Sequence, residues 1–170
     1  STSKGFPTNA LYGFINMLQK VIREEKPDYL VIAFDSPEKT FRHKIYPDYK
    51  ANRDAPPKEL SLQFPFFEPL VDAYGIPSIR QPGFEADDII GTLSKKGEQA
   101  GLEVFIVSGD KDMMQLISPH VHMLDTMKNK KFMDKDVIEK FGVGPDQVIE
   151  VMGLMGDSSD NIPGVTGVGP

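Results

Sequence analysis

Tyr29-Leu-Val-Ile-Ala-Phe-Asp35 and Val104-Phe-Ile-Val-Ser-Gly-Asp110 are the two stretches on which the fold turns. Each is a short, nearly unbroken apolar run, the pattern of a parallel strand buried on both faces. Each ends on an aspartate. A weaker run, Val121 to Leu124, is followed by Asp125. Between and around these runs the apolar period changes from continuous to helical. Residues 8 to 25 place Leu11, Phe14, Ile15, Leu18, Val21 and Ile22 at three- and four-residue spacing behind Thr8, a candidate N-cap. A second helical pattern covers about 62 to 74 and stops at Gly75. A third runs from Asp87 to Ala100 with Gly101 just beyond it, and a last helix covers about 145 to 155. Strands alternating with helices predict an α/β domain with a mainly parallel central sheet.

The aspartates sit where such a sheet presents its ligand crevice, at the carboxyl ends of strands. Asp35 and Asp110 end the two strands, and Asp112 follows two residues later. A strand-end aspartate can equally cap the next turn; two of them in the same position weaken that explanation. Glu85-Ala-Asp87-Asp88 opens the third helix. Acids in a first turn complement the helix dipole, but three in four residues repel one another unless a cation stands between them. Asp157-Ser-Ser-Asp160 is a fourth cluster, and on its own it reads as a turn.

Together the clusters hold eight carboxylates and no histidine. Oxygen donors of this kind suit Mg²⁺ or Mn²⁺ and disfavour zinc. Mg²⁺ takes only one or two carboxylates directly, so eight imply two or more ions, the arrangement used for in-line phosphodiester displacement. There is no cysteine, which excludes disulfides, thiolate metal sites and cysteine nucleophiles.

The net charge of −6 at first argues against a nucleic-acid partner. The eight clustered acids carry that excess: the other 17 of the 25 acids face 19 Lys and Arg, a balance of about +2. The bases are concentrated between Lys39 and Arg53, with Arg42, Lys44 and Lys50. Phe41, Tyr46 and Tyr49 lie between them, the mixture of cations and stacking rings that single-stranded nucleic acid needs. A solvated loop with ordinary surface lysines is the competing explanation. Pro56, Pro57, Pro65 and Pro69 follow and mark an irregular excursion. No apolar run approaches the roughly 18 residues that span a bilayer, no secretory signal is visible, and a cytoplasmic protein is expected.

Seven segments, in order, resemble the 5′-nuclease domain of bacterial DNA polymerase I within the flap endonuclease family. They are Pro7 to Phe14, Phe34-Asp35, Phe41-Arg-His43, Tyr49-Lys-Ala-Asn-Arg53, Gly83 to Asp88, Ser108-Gly-Asp-Lys-Asp112 and Gly156 to Val165. The resemblance covers essentially the whole chain. It implies a PIN-like nuclease core over residues 1–140, with a helical arch at about 37–66. It further implies that residues 141–170 begin a helix-three-turn-helix DNA-binding region.

The resemblance assigns Asp35, Glu85, Asp87 and Asp88 to one metal site and Asp110, Asp112, Asp157 and Asp160 to a second. Arg42, Lys50 and Arg53 match bases that act at the scissile phosphate. Lys39, Phe41, His43, Tyr46 and Tyr49 match the DNA-facing arch. Gly164, Gly167 and Gly169 match the hairpin that grips duplex backbone, often with a monovalent cation such as K⁺. The implied activity is two-metal 5′→3′ exonuclease and flap endonuclease cleavage of 5′-flap, nicked or branched DNA in primer removal and repair, in the bacterial nucleoid. A polymerase domain in the same protein is expected, a free-standing flap endonuclease being the alternative. The family carries a further aspartate on a strand before residue 1 and a lysine-bearing helix after Pro170, so an isolated chain lacking both is expected to be weakly active or inactive. A DNA-junction binding module without catalysis is the second reading. A metal-dependent phosphatase is the third, and Asp35-Ser-Pro37 does not match its usual Asp-x-Asp.

Overall fold

The computed structural model describes residues 1–3 and 5–169. Lys4 and Pro170, the last residue of the expected DNA-binding segment, lie outside the described residues. The elements in chain order are α1 (Asn9–Glu25), β1 (Ile32–Phe34), α2 (Phe41–Ile45), α3 (Lys58–Ser61), α4 (Phe67–Ala73), β2 (Ser78–Arg80), α5 (Ala86–Gln99), β3 (Val104–Val107), β4 (Val121–Asp125), β5 (Lys130–Phe132), α6 (Asp134–Phe141) and α7 (Val148–Met155). Short 3₁₀ turns cover Phe64–Phe66, Lys111–Leu116, Pro145–Gln147 and Ser158–Asp160. The packing divides the chain into two units, one of Ser1–Phe34 with Asp54–Arg80 and one of Asp35–Arg53 with the chain from Gln81 onward.

In the first unit β1 pairs in parallel with β2, Ile32 against Ser78 and Phe34 against Arg80. Leu18, Val71 and Ile76 form its core, with Phe14, Leu30, Ile32 and Phe34 packed on them. The strand expected over Tyr29–Phe34 is only three residues long, and Tyr29 is exposed. The continuous helix expected over 62 to 74 is instead a 3₁₀ turn, Phe64–Phe66, followed by the shorter helix α4. Pro65 and Pro69 each remove a backbone donor, which disfavours an unbroken helix through this stretch. Thr8 precedes α1 but makes no capping bond. The cap comes from far along the chain: Gln63 Oε1 accepts the Ala10 N–H at 2.9 Å and the Leu11 N–H at 3.1 Å. Gln63 Nε2 donates to Asn9 Oδ1 and Glu59 O, both at 2.9 Å. The side chain is wholly buried and every polar atom on it is satisfied.

In the second unit β3 pairs in parallel with β4, Val104 against Val121, and β5 closes the sheet antiparallel to β4. Alternation puts Ile106, Val121 and Met123 into a core with Met113, Met114, Ile117, Val137 and Val148. Helix α5 lies close to β3 because Gly97 has no side chain; a Cβ there would stand 2.9 Å from the Val104 Cγ2. The run 156–164 folds back on itself as tightly. The Asp157 N–H donates to Ile162 O at 2.9 Å, and a Cβ on Gly164 would meet Met155 O at 2.2 Å. Gly164, matched above to a DNA-gripping hairpin, is therefore required by backbone contact in its own right.

Candidate active site

Helix α5 begins where three acids crowd its first turn. Glu85 is its N-cap residue, and the Glu85 N–H donates to Asp88 Oδ2 at 2.9 Å, one of the orphan donors a helix start must satisfy. Asp35, which follows β1 in the chain, accepts the next free donor, the Ala86 N–H, at 2.8 Å. The acids are thus partly explained as caps. What capping leaves unexplained is how many charged partners converge on them.

Arg42 on α2 grips Asp88 with both guanidinium nitrogens, each at 2.8 Å. This bidentate contact drives the Asp88 carboxyl below its ordinary range and the Arg42 guanidinium above its own. Lys50 donates to Glu85 Oε1 at 3.0 Å and stands 3.9 Å from Asp160 Oδ2. Arg53 pairs with Asp160 and donates to Ser159 O. The segment is latched to the 158–161 turn by its backbone as well: the Lys50 N–H donates to Asp160 O, and Asn161 reaches back to Asp48 O at 2.8 Å.

Tyr49 sits at the centre of these contacts. Its hydroxyl is 3.0 Å from Glu85 Oε2 and 2.9 Å from Asp160 Oδ2, and only 5% of the residue is exposed. One O–H proton cannot serve two carboxylate oxygens, so the neighbouring Lys50 supplies the balance. Burial, then the hydrogen bond to Asp160, pushes the phenol well above its ordinary value. Tyr49 was expected to offer its ring to a base. The ring is instead covered, edge-on to His43 at 5.3 Å, and the residue ties two acidic clusters together. His43 caps α2, its Nδ1 accepting the Thr40 N–H at 3.2 Å. Phe41 packs on Phe84, Tyr46 is half-buried, and Lys39 is exposed.

On the other side, Asp110 caps the turn after β3, its Oδ1 accepting the Asp112 N–H at 2.9 Å. Asp157 plays the same part for its own turn, accepting the Ser159 N–H at 2.9 Å. Asp112 is different. Its Oδ1 is buried with no hydrogen-bond partner. Burial, with Asp110 and Asp157 nearby, pushes its carboxyl up to about 6. Asp87 is likewise raised by burial and by Asp110, Asp35 and Glu85.

Glu85, Asp87, Asp88, Asp112 and Asp160 line one groove of about 630 Å³, shared with Arg42 and Tyr49. Asp35, Asp110 and Asp157 border on these acids without lining it. The two expected sets interleave: Asp160 shares Tyr49 and Lys50 with Glu85, and Asp87 feels Asp110. Among the described residues no group of three His, Asp or Glu side chains is arranged to hold a metal ion as it stands. Four of the acids are engaged by Arg42, Tyr49, Lys50, Arg53 and Lys111. The donor set still fits a hard divalent cation. It is all oxygen, it repels itself, and Asp112 presents a buried oxygen that nothing in the protein satisfies. The same groove continues along α5 past Thr92, Lys95, Lys96 and Gln99, residues that the acidic pattern gave no reason to single out.

Comparison with known proteins gives a consistent picture. Residues 1–142 match a family model described as the 5′-3′ exonuclease N-terminal resolvase-like domain. Over its whole length the chain is 48% identical to a 5′-3′ exonuclease of Aquifex aeolicus, of which it spans 59%. Over 98% of its length it is 48% identical to DNA polymerase I of Bacillus caldotenax, of which it spans 19%. Its fold is similar to that of a bacteriophage T5 5′-exonuclease with bound zinc, at a TM-score of 0.79 and 26% identity, covering 98% of this chain and 65% of that one. It is also similar to a bacteriophage T5 flap endonuclease in a pseudo-enzyme–product complex with DNA and metal ions, at a TM-score of 0.77 and 27% identity, covering 93% and 62%.

Proposed function

Because the chain belongs to the 5′-3′ exonuclease N-terminal resolvase-like domain family, we propose that it is the nuclease part of a protein that hydrolyses DNA phosphodiester bonds at 5′ ends and 5′ flaps. The observation that carries this reading is the groove in which Glu85, Asp87, Asp88, Asp112 and Asp160 face Arg42 and Tyr49. Divalent cations, Mg²⁺ or Mn²⁺, bound among these acids with Asp35, Asp110 and Asp157 would activate a water and stabilise the leaving oxygen.

The chain's own residues do the rest. Lys50, Arg42 and Arg53 are the cations that reach a phosphate placed over the acids. Each is held against a carboxylate, so it is aimed before substrate arrives and little side-chain freedom remains to be lost. Tyr49 fixes the relative position of Glu85 and Asp160. The exposed Lys39 and the Phe41 ring edge the entrance for a displaced strand. Gly164, Gly167 and Gly169 lie on the segment we assign to duplex backbone, with a K⁺ ion as its partner. The polymerase relatives support a linked polymerase domain and work in primer removal and repair in the cytoplasm, and the Aquifex aeolicus relative supports a free-standing nuclease as the alternative. No helix among the described residues is long and apolar enough to cross a membrane.

The test is cleavage of a 5′-flap duplex by the intact parent protein in Mg²⁺. Products carrying a 5′-phosphate are expected, and Asp110→Ala is expected to abolish them. Absence of cleavage, or cleavage indifferent to Asp110→Ala, overturns the reading.

A further inference from the structure

The groove does not end with its acids. Seven residues beyond Asp88, two helical turns and about 10.5 Å along α5, its wall becomes basic and amide-bearing: Lys95, Lys96 and Gln99, with Thr92 before them and Gln115 opposite. Positions 88, 92, 95, 96 and 99 recur at three- and four-residue spacing and so share one face of α5. Both lysines are exposed, and neither is paired with a carboxylate among the described residues. This sets them apart from Arg42, Lys50 and Arg53, which neutralise the acids at the other end.

Gly91 lies on the same wall, in the middle of the helix. A glycine there is destabilising relative to alanine, because it loses more backbone freedom on folding. Packing does not ask for it: a Cβ at this position would meet Leu116 at 3.6 Å, an ordinary contact. What the missing side chain provides is depth in the groove.

We propose that this basic end is a second nucleic-acid subsite, which takes the phosphates of a single-stranded stretch running from the acidic end along α5. The proposal rests on the nuclease reading and specifies which part of the substrate lies where. Lys95 and Lys96 would take backbone charge, Gln99 and Gln115 would donate to phosphate oxygens, and the floor at Gly91 would give the strand room. An axial rise of about 10.5 Å places Lys95 about two nucleotides of extended single strand from the acids.

The test is equilibrium binding of the intact protein, in EDTA so that nothing is cut, to fluorescent duplexes whose single-stranded 5′ flap is zero, one, three or six nucleotides long. Affinity is expected to rise between one and three nucleotides. K95A/K96A is expected to remove that rise, weakening three- and six-nucleotide flaps roughly fivefold, lowering the salt slope by about 1.4 for two lost single-strand contacts, and leaving the flapless duplex unchanged. No rise with flap length in the unsubstituted protein, or a rise that K95A/K96A retains, overturns the subsite. Cleavage of the same flaps in Mg²⁺, measured in parallel, separates that result from failure of the nuclease reading, in which the unsubstituted protein cuts none of them.

Discussion

Gln63 and Asp112 are both polar, both place a side-chain oxygen out of contact with water, and are opposite in design. Gln63 is neutral, and four hydrogen bonds satisfy both ends of its amide. Asp112 carries one buried oxygen with no partner and lies beside two further carboxylates. A buried group with all its bonds made holds a fold together. A buried group left unsatisfied among like charges weakens the protein that carries it, and its retention points to chemistry. Tyr49, Glu85 and Asp160 stand between these extremes: bonded, but with one proton shared between two carboxylates.

The contrast breaks if substitutions at the two sites behave alike. The largest expected effect is on turnover. Asp112→Asn keeps the shape and removes the charge, and should lower flap cleavage by at least about a hundredfold. Its thermal midpoint in EDTA should hold or rise, because repulsion with Asp110 and Asp157 is relieved. A midpoint well below that of the unsubstituted protein would mean Asp112 is structural after all.

Gln63→Leu should do the reverse. It strips the caps from Ala10 and Leu11 and leaves Asn9 Oδ1 and Glu59 O without their donor, a loss of about 2–4 kcal/mol in urea titration, while cleavage per folded molecule is unchanged. Gly164→Ala comes next. Its Cβ has to displace Met155 O, destabilising the 156–164 fold-back by about 1–3 kcal/mol, read as faster proteolysis there. If this variant also loses duplex affinity at equal folded fraction, the segment's second role is sharpened.

The smallest effect is in acid. Lys130, then the Met133 N–H, holds the Asp136 carboxyl below its ordinary 3.8. The folded value is the lower one, so its contribution is present above 3.8 and lost as pH falls through the depressed value. Asp136→Asn should flatten the acid limb of the stability curve below pH 4 and leave cleavage at neutral pH alone.

Much of this was legible residue by residue. The α5 helix, its acidic start and Gly101 beyond its end read directly from three- and four-residue spacing, and the β3 run was found at its true bounds. The family was legible from seven short segments. The apolar run 29–34 is longer than the paired strand Ile32–Phe34, because apolar content does not say where pairing begins. Apolar spacing over 62–74 is helical straight through Pro65 and Pro69, because spacing does not register a missing backbone donor. Thr8 stands at the local capping position, whereas the side chain that caps α1 belongs to Gln63, 53 positions from the Ala10 N–H it accepts.

What the chain alone determined is local: which segments coil or extend, which carry acid, and that oxygen donors without thiolate or imidazole belong to hard cations. Tertiary structure decided which acids meet. The Tyr49 hydroxyl joins Glu85 to Asp160 across sequence separations of 36 and 111, and the two acid sets interleave instead of standing apart. The physical reason is that hydrophobic period and capping act over a few residues. Charge neutralisation and burial act through space, between groups that no periodicity links.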